Sequence, residues 1–231
     1  MIKYFTEIHF AGLTLRDPVT IITNILLFAS ALWCYFQIRK FSDNAPGAKH
    51  WSYFFLFLSI SGSIGAITHG FSYYTSENIF FIIWVASGWV QMFGVLFAQT
   101  ATSRMYFPDK LNLTFGVGIV QMIICGVIMV IIRKFLTVDI DTGIVLIPIA
   151  IINIIQVNRG KAASYLFSIG ILSSAIPAAI TIAKWVPSPW FNFNDISHLL
   201  VCASTIIMCV GLRTNLRAIG TNYESHEYPN R

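Results

Sequence analysis

Seven runs of predominantly apolar residues, separated by short polar segments, recur along this chain. They cover approximately 18–38, 51–73, 79–103, 111–133, 142–157, 162–184 and 195–213. The hydrocarbon core of a bilayer is about 30 Å thick and needs roughly 20 apolar helical residues per crossing. The pattern therefore predicts seven transmembrane helices. The fifth run is short and contains Pro148, and it could begin earlier, near Phe135. The connections carry turn chemistry: SDNAPGAK at 42–49, FPDK at 107–110, VNRGK at 157–161 and VPSPWFN at 186–192. No internal repeat interrupts the series. The expected architecture is all-α: one seven-helix domain over residues 1–213, followed by a flexible polar tail over 214–231.

Composition strengthens this expectation. Of the 231 residues, 56% are hydrophobic and 11% are charged, with a mean hydropathy of +0.70. A soluble domain carries about 25% charged residues, so lipid is the expected solvent. The net charge of +5 contains no basic run, which argues against nucleic-acid binding. Scattered juxtamembrane cations instead suit lipid headgroups. Arg39, Lys40, Lys49, Arg104, Lys110, Arg159, Lys161, Arg213, Arg217 and Arg231 fall on one side of the predicted bundle. Only Lys3, Arg16, Arg133, Lys134 and Lys184 fall on the other. The bias predicts an outside N-terminus and a cytoplasmic C-terminus, in a multi-pass protein of a bacterial inner membrane. Residues 1–17 hold Lys3, Glu7, His9, Arg16 and Asp17, so they do not read as a signal peptide. Cys34, Cys125, Cys202 and Cys209 all lie in apolar runs without C-x-x-C spacing. They read as buried thiols rather than a disulfide framework.

The predicted topology gathers polar residues at one depth. His69 ends the second helix, while Asp195 and His198 begin the seventh. Glu77 precedes the third helix and Asp17 precedes the first. Asp17, Glu77 and Asp195 also occupy positions where carboxylates cap helices, and DPVT at 17–20 places proline at a first helical position. Neither histidine is needed to end a helix, and ionisable residues in spans usually line sites. His198 and Cys202 are four apart and share a helix face, and imidazole and thiolate both bind zinc. Asp195 could orient the imidazole, act as a base or bind the metal. Ser61, Gly65 and His69 form a line four residues apart, and with Gly62, Ser63 and Ala66 beside it the small residues could bring the second helix against the seventh. Asn24, Gln37, Gln91, Gln99, Gln121 and Asn153 read as interhelical hydrogen-bonding groups.

The seven helices, the late histidine of helix two and the H-x-x-x-C of helix seven resemble the superfamily of alkaline ceramidases and adiponectin/progestin-type receptors. In that superfamily, a serine and a histidine four apart in helix two, an aspartate in helix three and an H-x-x-x-H in helix seven build an intramembrane zinc site. The resemblance implies a zinc-dependent hydrolase of lipid-like amides or esters. His69 and His198 would be metal ligands, with Cys202 in place of the second helix-seven histidine or Asp195 as the third ligand. Asp195 or Glu77 would serve as general base, and Ser63 would stabilise the oxyanion. Gly65 stands where the superfamily has serine, and the body of helix three has no aspartate. The sequence is also similar to small bacterial membrane proteins without an assigned activity. The alternative is a non-enzymatic seven-helix protein that binds a ligand, senses pH or transports a solute. In either case the expected partners are membrane lipids and a lipid-like small molecule.

Overall fold

A computed structural model describes residues 6–160, 164–188 and 190–227. Lys3, Lys161 and Arg231 of the charge count, and Pro189, lie outside these residues. The chain opens with an antiparallel hairpin, β1 (Glu7–Phe10) and β2 (Leu13–Arg16). Ala11 and Gly12 turn it with φ of 50° and 79°, the backbone that two-residue hairpin loops require. The hairpin is an addition to the all-α expectation.

Eight helices follow: α1 (Pro18–Arg39), α2 (Ala48–Gly70), α3 (Glu77–Tyr106), α4 (Leu111–Ile132), α5 (Leu136–Asn158), α6 (Tyr165–Ser173), α7 (Ala175–Ala183) and α8 (Phe193–Glu227). Together they supply seven segments long and apolar enough to cross a membrane, with α6 and α7 sharing the sixth. The break between them has a local cause. Pro177 has no N–H to donate to the carbonyl of Ser173, four residues earlier. Pro148, by contrast, sits inside an unbroken α5.

Helix α5 begins at Leu136, at the earlier of the two expected starts, so Asp139 and Asp141 lie within it. One boundary differs from expectation. Helix α8 continues to Glu227, so most of the expected flexible tail is helical; no proline interrupts residues 214–227.

The packing order differs as well. Helix α1 lies between α2 and α8, and α2 lies between α1 and α3. The small-residue stripe of α2 therefore meets α1, not the last helix: a Cβ on Gly65 would come 2.5 Å from Asn24 Oδ1. The core centres on Trp51, Phe55, Phe167 and Leu212, with the Trp51 and Phe167 rings nearly perpendicular at 5.2 Å. On α4, Ile124, Val127 and Ile131 are exposed, as suits a helix facing lipid. Asn153 and Gln121 make the interhelical bonds expected of them. Asn153 Oδ1 accepts from Asn215 at 2.8 Å, and Gln121 donates to Asp141 Oδ1 at 2.9 Å.

Candidate ligand site at the hairpin end

The site is built on one face of α1. Asp17, Thr20 and Asn24 recur three and four residues apart, so their side chains share a helical face. Apolar neighbours on α1, such as Ile22, Ile25 and Leu26, face outward. Helix α2 brings His69 to one flank of the stripe, and α8 brings Asp195 and His198 to the other.

Asp17 does not cap α1. Its backbone is left-handed, with φ 49° and ψ 58°, and its side chain makes no cap bond. It also precedes Pro18, a position that favours extended backbone. Such strain costs about 1–3 kcal/mol and persists only where surrounding contacts enforce it. One such contact is the Asp17 N–H, which donates to the Thr6 carbonyl at 2.9 Å. The carboxylate turns instead towards α2, where Oδ2 lies 3.7 Å from His69 Nδ1. Oδ1 is buried and accepts no hydrogen bond, although Asp17 as a whole is only 5% exposed. A buried charged oxygen without a donor costs more than the roughly 1–3 kcal/mol of a neutral group. His69 is the accessible member of the pair, its side chain 27% exposed.

Asp195 is fully buried but satisfied. Its Oδ1 accepts from Thr20 Oγ1 at 2.6 Å, and its Oδ2 accepts from the Asn192 N–H at 2.7 Å. Asn192 Oδ1 in turn accepts from the Asn194 N–H at 2.8 Å. Asn192 and Asp195 thus cap the start of α8 reciprocally, in the manner of a capping box. The second carboxylate oxygen ties α8 to α1. Asp195 therefore sits beside the cluster as an anchor, with each oxygen already accepting a hydrogen bond.

His198 is held by α1. Asn24 Nδ2 donates to its Nδ1 at 3.2 Å and to the Thr20 carbonyl at 2.9 Å. Thr23 Oγ1 lies 3.3 Å from the same ring nitrogen. An amide N–H₂ can only donate, so with the Asn24 amide in this orientation Nδ1 is the acceptor.

The other expected site residues lie outside the cluster. Glu77 is exposed in the first turn of α3, where Ser76 caps the helix. Ser63 returns its hydroxyl to its own helix, donating to the Ile60 carbonyl at 2.7 Å. Cys202 is buried one turn deeper than His198, near Ser30 of α1. Sequence reasoning overlooked Thr20 and Thr23. Their signal was available: small hydroxyls on the same side of an apolar helix as Asn24.

The arrangement does not fit a zinc ion as the side chains stand. Among the described residues, no three His, Cys, Asp or Glu side chains are grouped to hold a metal. A ligating histidine donates its other ring N–H to an acceptor, whereas Asn24 presents a donor to His198 Nδ1. What the cluster does offer is a buried acceptor, Asp17 Oδ1, beside an accessible imidazole.

The hairpin covers this end of the bundle. The Thr14 N–H donates to the Tyr74 hydroxyl at 2.7 Å, the Arg16 guanidinium lies 5.1 Å from the Tyr73 ring centre, and Arg16 pairs with Glu7 at 2.9 Å.

The fold and the site define a polytopic membrane protein with a carboxylate–histidine cluster at one end of its bundle. Residues 19–217 match DUF6962, described as a family of unknown function, and the chain belongs to that family. No curated protein and no solved structure matches it.

Proposed function

We propose that this protein binds an amphiphile whose cationic or hydrogen-bond-donating head group docks at Asp17 and His69, without hydrolysing it. The observation that carries this reading is Asp17 Oδ1: strained, buried and unpartnered, it lacks the donor that such a head group would supply. Asp195, Thr20 and Asn24 hold the walls of the site, and the apolar tail would lie along lipid-facing residues such as Ile67. The predicted topology puts the site at the outer face.

The test is thermal unfolding of the detergent-purified protein with dodecylamine, dodecanol or dodecanoate below micellar concentrations. The amine raises the melting temperature most and the carboxylate does not raise it. The Asp17→Asn variant shows no such selectivity. Equal responses to all three would overturn the reading.

The zinc-dependent lipid hydrolase is the second reading, and the approach of the Asp17 carboxylate to His69, with Oδ1 lacking a donor, is what favours it. It requires the Asn24 amide to be reversed, so that Oδ1 accepts from Nδ1–H and His198 Nε2 is free. Asp17, rather than Cys202, is then the third donor. About one zinc per chain by elemental mass spectrometry, lost in His69→Ala and His198→Ala, would replace the first reading with this one.

A further inference from the structure

At the opposite end of the bundle, the loop joining α1 to α2 closes a cavity of about 250 Å³ against the end of α3. Lys49 and His50 line it from α2, and Arg104 lines it from the last turn of α3. The loop is seated firmly. Gly47 adopts φ 79°, and a Cβ there would come 2.5 Å from the Ala101 carbonyl oxygen. Only glycine therefore lets the loop lie directly on α3. Lys49 and Arg104 lie close enough for their charges to act on the His50 ring, which also leans on Phe97 with 6.1 Å between ring centres.

The charges in this cavity do not cancel. Asp43 is its one acidic lining residue, against Lys49 and Arg104. Asp43 is exposed, and among the described residues no ion pair joins it to Lys49 or Arg104. Ser42 and Asn44 add uncharged polar groups to the wall. Just outside, the Arg39 carbonyl accepts from the Ser42 hydroxyl at 2.6 Å, and Arg39 Nη1 is buried with no acceptor. Two cations against one exposed carboxylate, converging from two helices on a polar cavity at a bundle end, fit a phosphate group. Guanidinium and ammonium donate strong charge-assisted hydrogen bonds to phosphate oxygens. At that depth, phosphates belong to lipid headgroups or to solutes of the adjoining aqueous phase.

We propose that the cavity between the α1–α2 loop and the end of α3 binds a phosphate group through Lys49, His50 and Arg104. The site is independent of the Asp17–His69 cluster, and neither proposal depends on the other.

The test is native mass spectrometry and thermal unfolding of the full chain. It is taken from phosphatidylcholine vesicles, or from vesicles of equal parts phosphatidylcholine and phosphatidylglycerol, with and without inorganic phosphate. The Lys49→Gln/Arg104→Gln double variant is compared with wild type and with Lys40→Gln, a nearby cation outside the cavity. Both altered residues are exposed, so the fold is retained and circular dichroism confirms it. The expected result is binding to phosphatidylglycerol or inorganic phosphate that weakens on the order of tenfold in the double variant and not in Lys40→Gln. Retained phosphatidylglycerol that phosphate does not displace identifies a lipid headgroup. Stabilisation by phosphate in neutral vesicles identifies a free phosphate. Equal loss in the double variant and Lys40→Gln, or no preference for either anion in wild type, overturns the assignment.

Discussion

Asp17 and His69 face each other at 3.7 Å across the junction of α1 and α2, one residue strained and buried, the other open to the bundle end. Nothing in helix formation requires this. A residue before Pro18 could extend and cap α1 with its carboxylate, which is what the sequence suggests. The left-handed backbone instead spends stability to aim the side chain at a histidine. Asp17→Asn keeps a residue type that tolerates the left-handed region and removes the buried carboxylate whose Oδ1 has no hydrogen-bond donor. Its expected effect is a rise of about 1 kcal/mol in stability, seen as a higher melting temperature without ligand, together with loss of selectivity for dodecylamine. A structural ion pair predicts the reverse, a fall in melting temperature.

Asp195 separates structural from functional acidity. Both of its oxygens are occupied, by Thr20 and by the Asn192 N–H. Asp195→Ala leaves these two donors unpaired at a helix junction and costs about 2–4 kcal/mol. Thr20→Val removes one of the two bonds and costs less, about 1–2 kcal/mol. The double variant should lose less than the sum of the two, because the Thr20–Asp195 bond is counted in both. A strictly additive result in thermal unfolding would show that Asp195 is held by something other than Thr20.

Cys202 and Ser63 test the sequence reading most directly. Cys202 neighbours Ser30 in a buried position, and Ser63 bonds its own helix. Cys202→Ala and Ser63→Ala are therefore expected to leave ligand response and any bound zinc unchanged. Loss of either property in Cys202→Ala, with folding intact by circular dichroism, would return the thiol to the site.

The helices were legible because lipid imposes one rule on every span: about 20 apolar residues with internally satisfied backbone. Seven runs obeyed it, and the structure has seven matching segments. The meeting of His69, Asp17 and the start of α8 was also legible, since alternating spans fix which helix ends share a depth. Lateral order was not. Hydropathy does not say that α1 lies between α2 and α8, so Cys202 looked like a neighbour of His69 while Asn24 looked like ordinary interhelical glue. In the structure Asn24 lies between Gly65 and His198 and bonds the Nδ1 of that ring. The role of Asp195 was hidden for a similar reason. A capping carboxylate and a catalytic one look alike until both oxygens have named donors. The hairpin over Glu7–Arg16 carried only an Ala-Gly turn and a short alternation, a weak signal beside a long apolar run.

The contact between α6 and α8 has the sharpest steric requirement in the bundle. A Cβ on Gly211 would lie 2.1 Å from the backbone nitrogen of Phe167, and one on Gly170 would lie 2.3 Å from that of Met208. Each glycine thus admits the other helix's backbone, and the neighbouring atoms cannot swing away as a side chain could. In a membrane, where apolar burial does not drive helices together, such close approach is a principal source of association. Gly211→Ala and Gly170→Ala must therefore push the helices apart, opening the core around Phe167 and Leu212. The expected loss is about 2–4 kcal/mol each, on the scale of overpacking and lost core contacts. Gly116, where a Cβ would meet nothing within 4 Å, is the matched control. Gly116→Ala gains helix propensity and is expected to be neutral or stabilising by up to about 1 kcal/mol. Melting temperatures of the three variants in one detergent decide the matter. If Gly211→Ala and Gly170→Ala both behave like Gly116→Ala, α6 and α8 are not in backbone contact, and the packing of the sixth span against the last is different from that described.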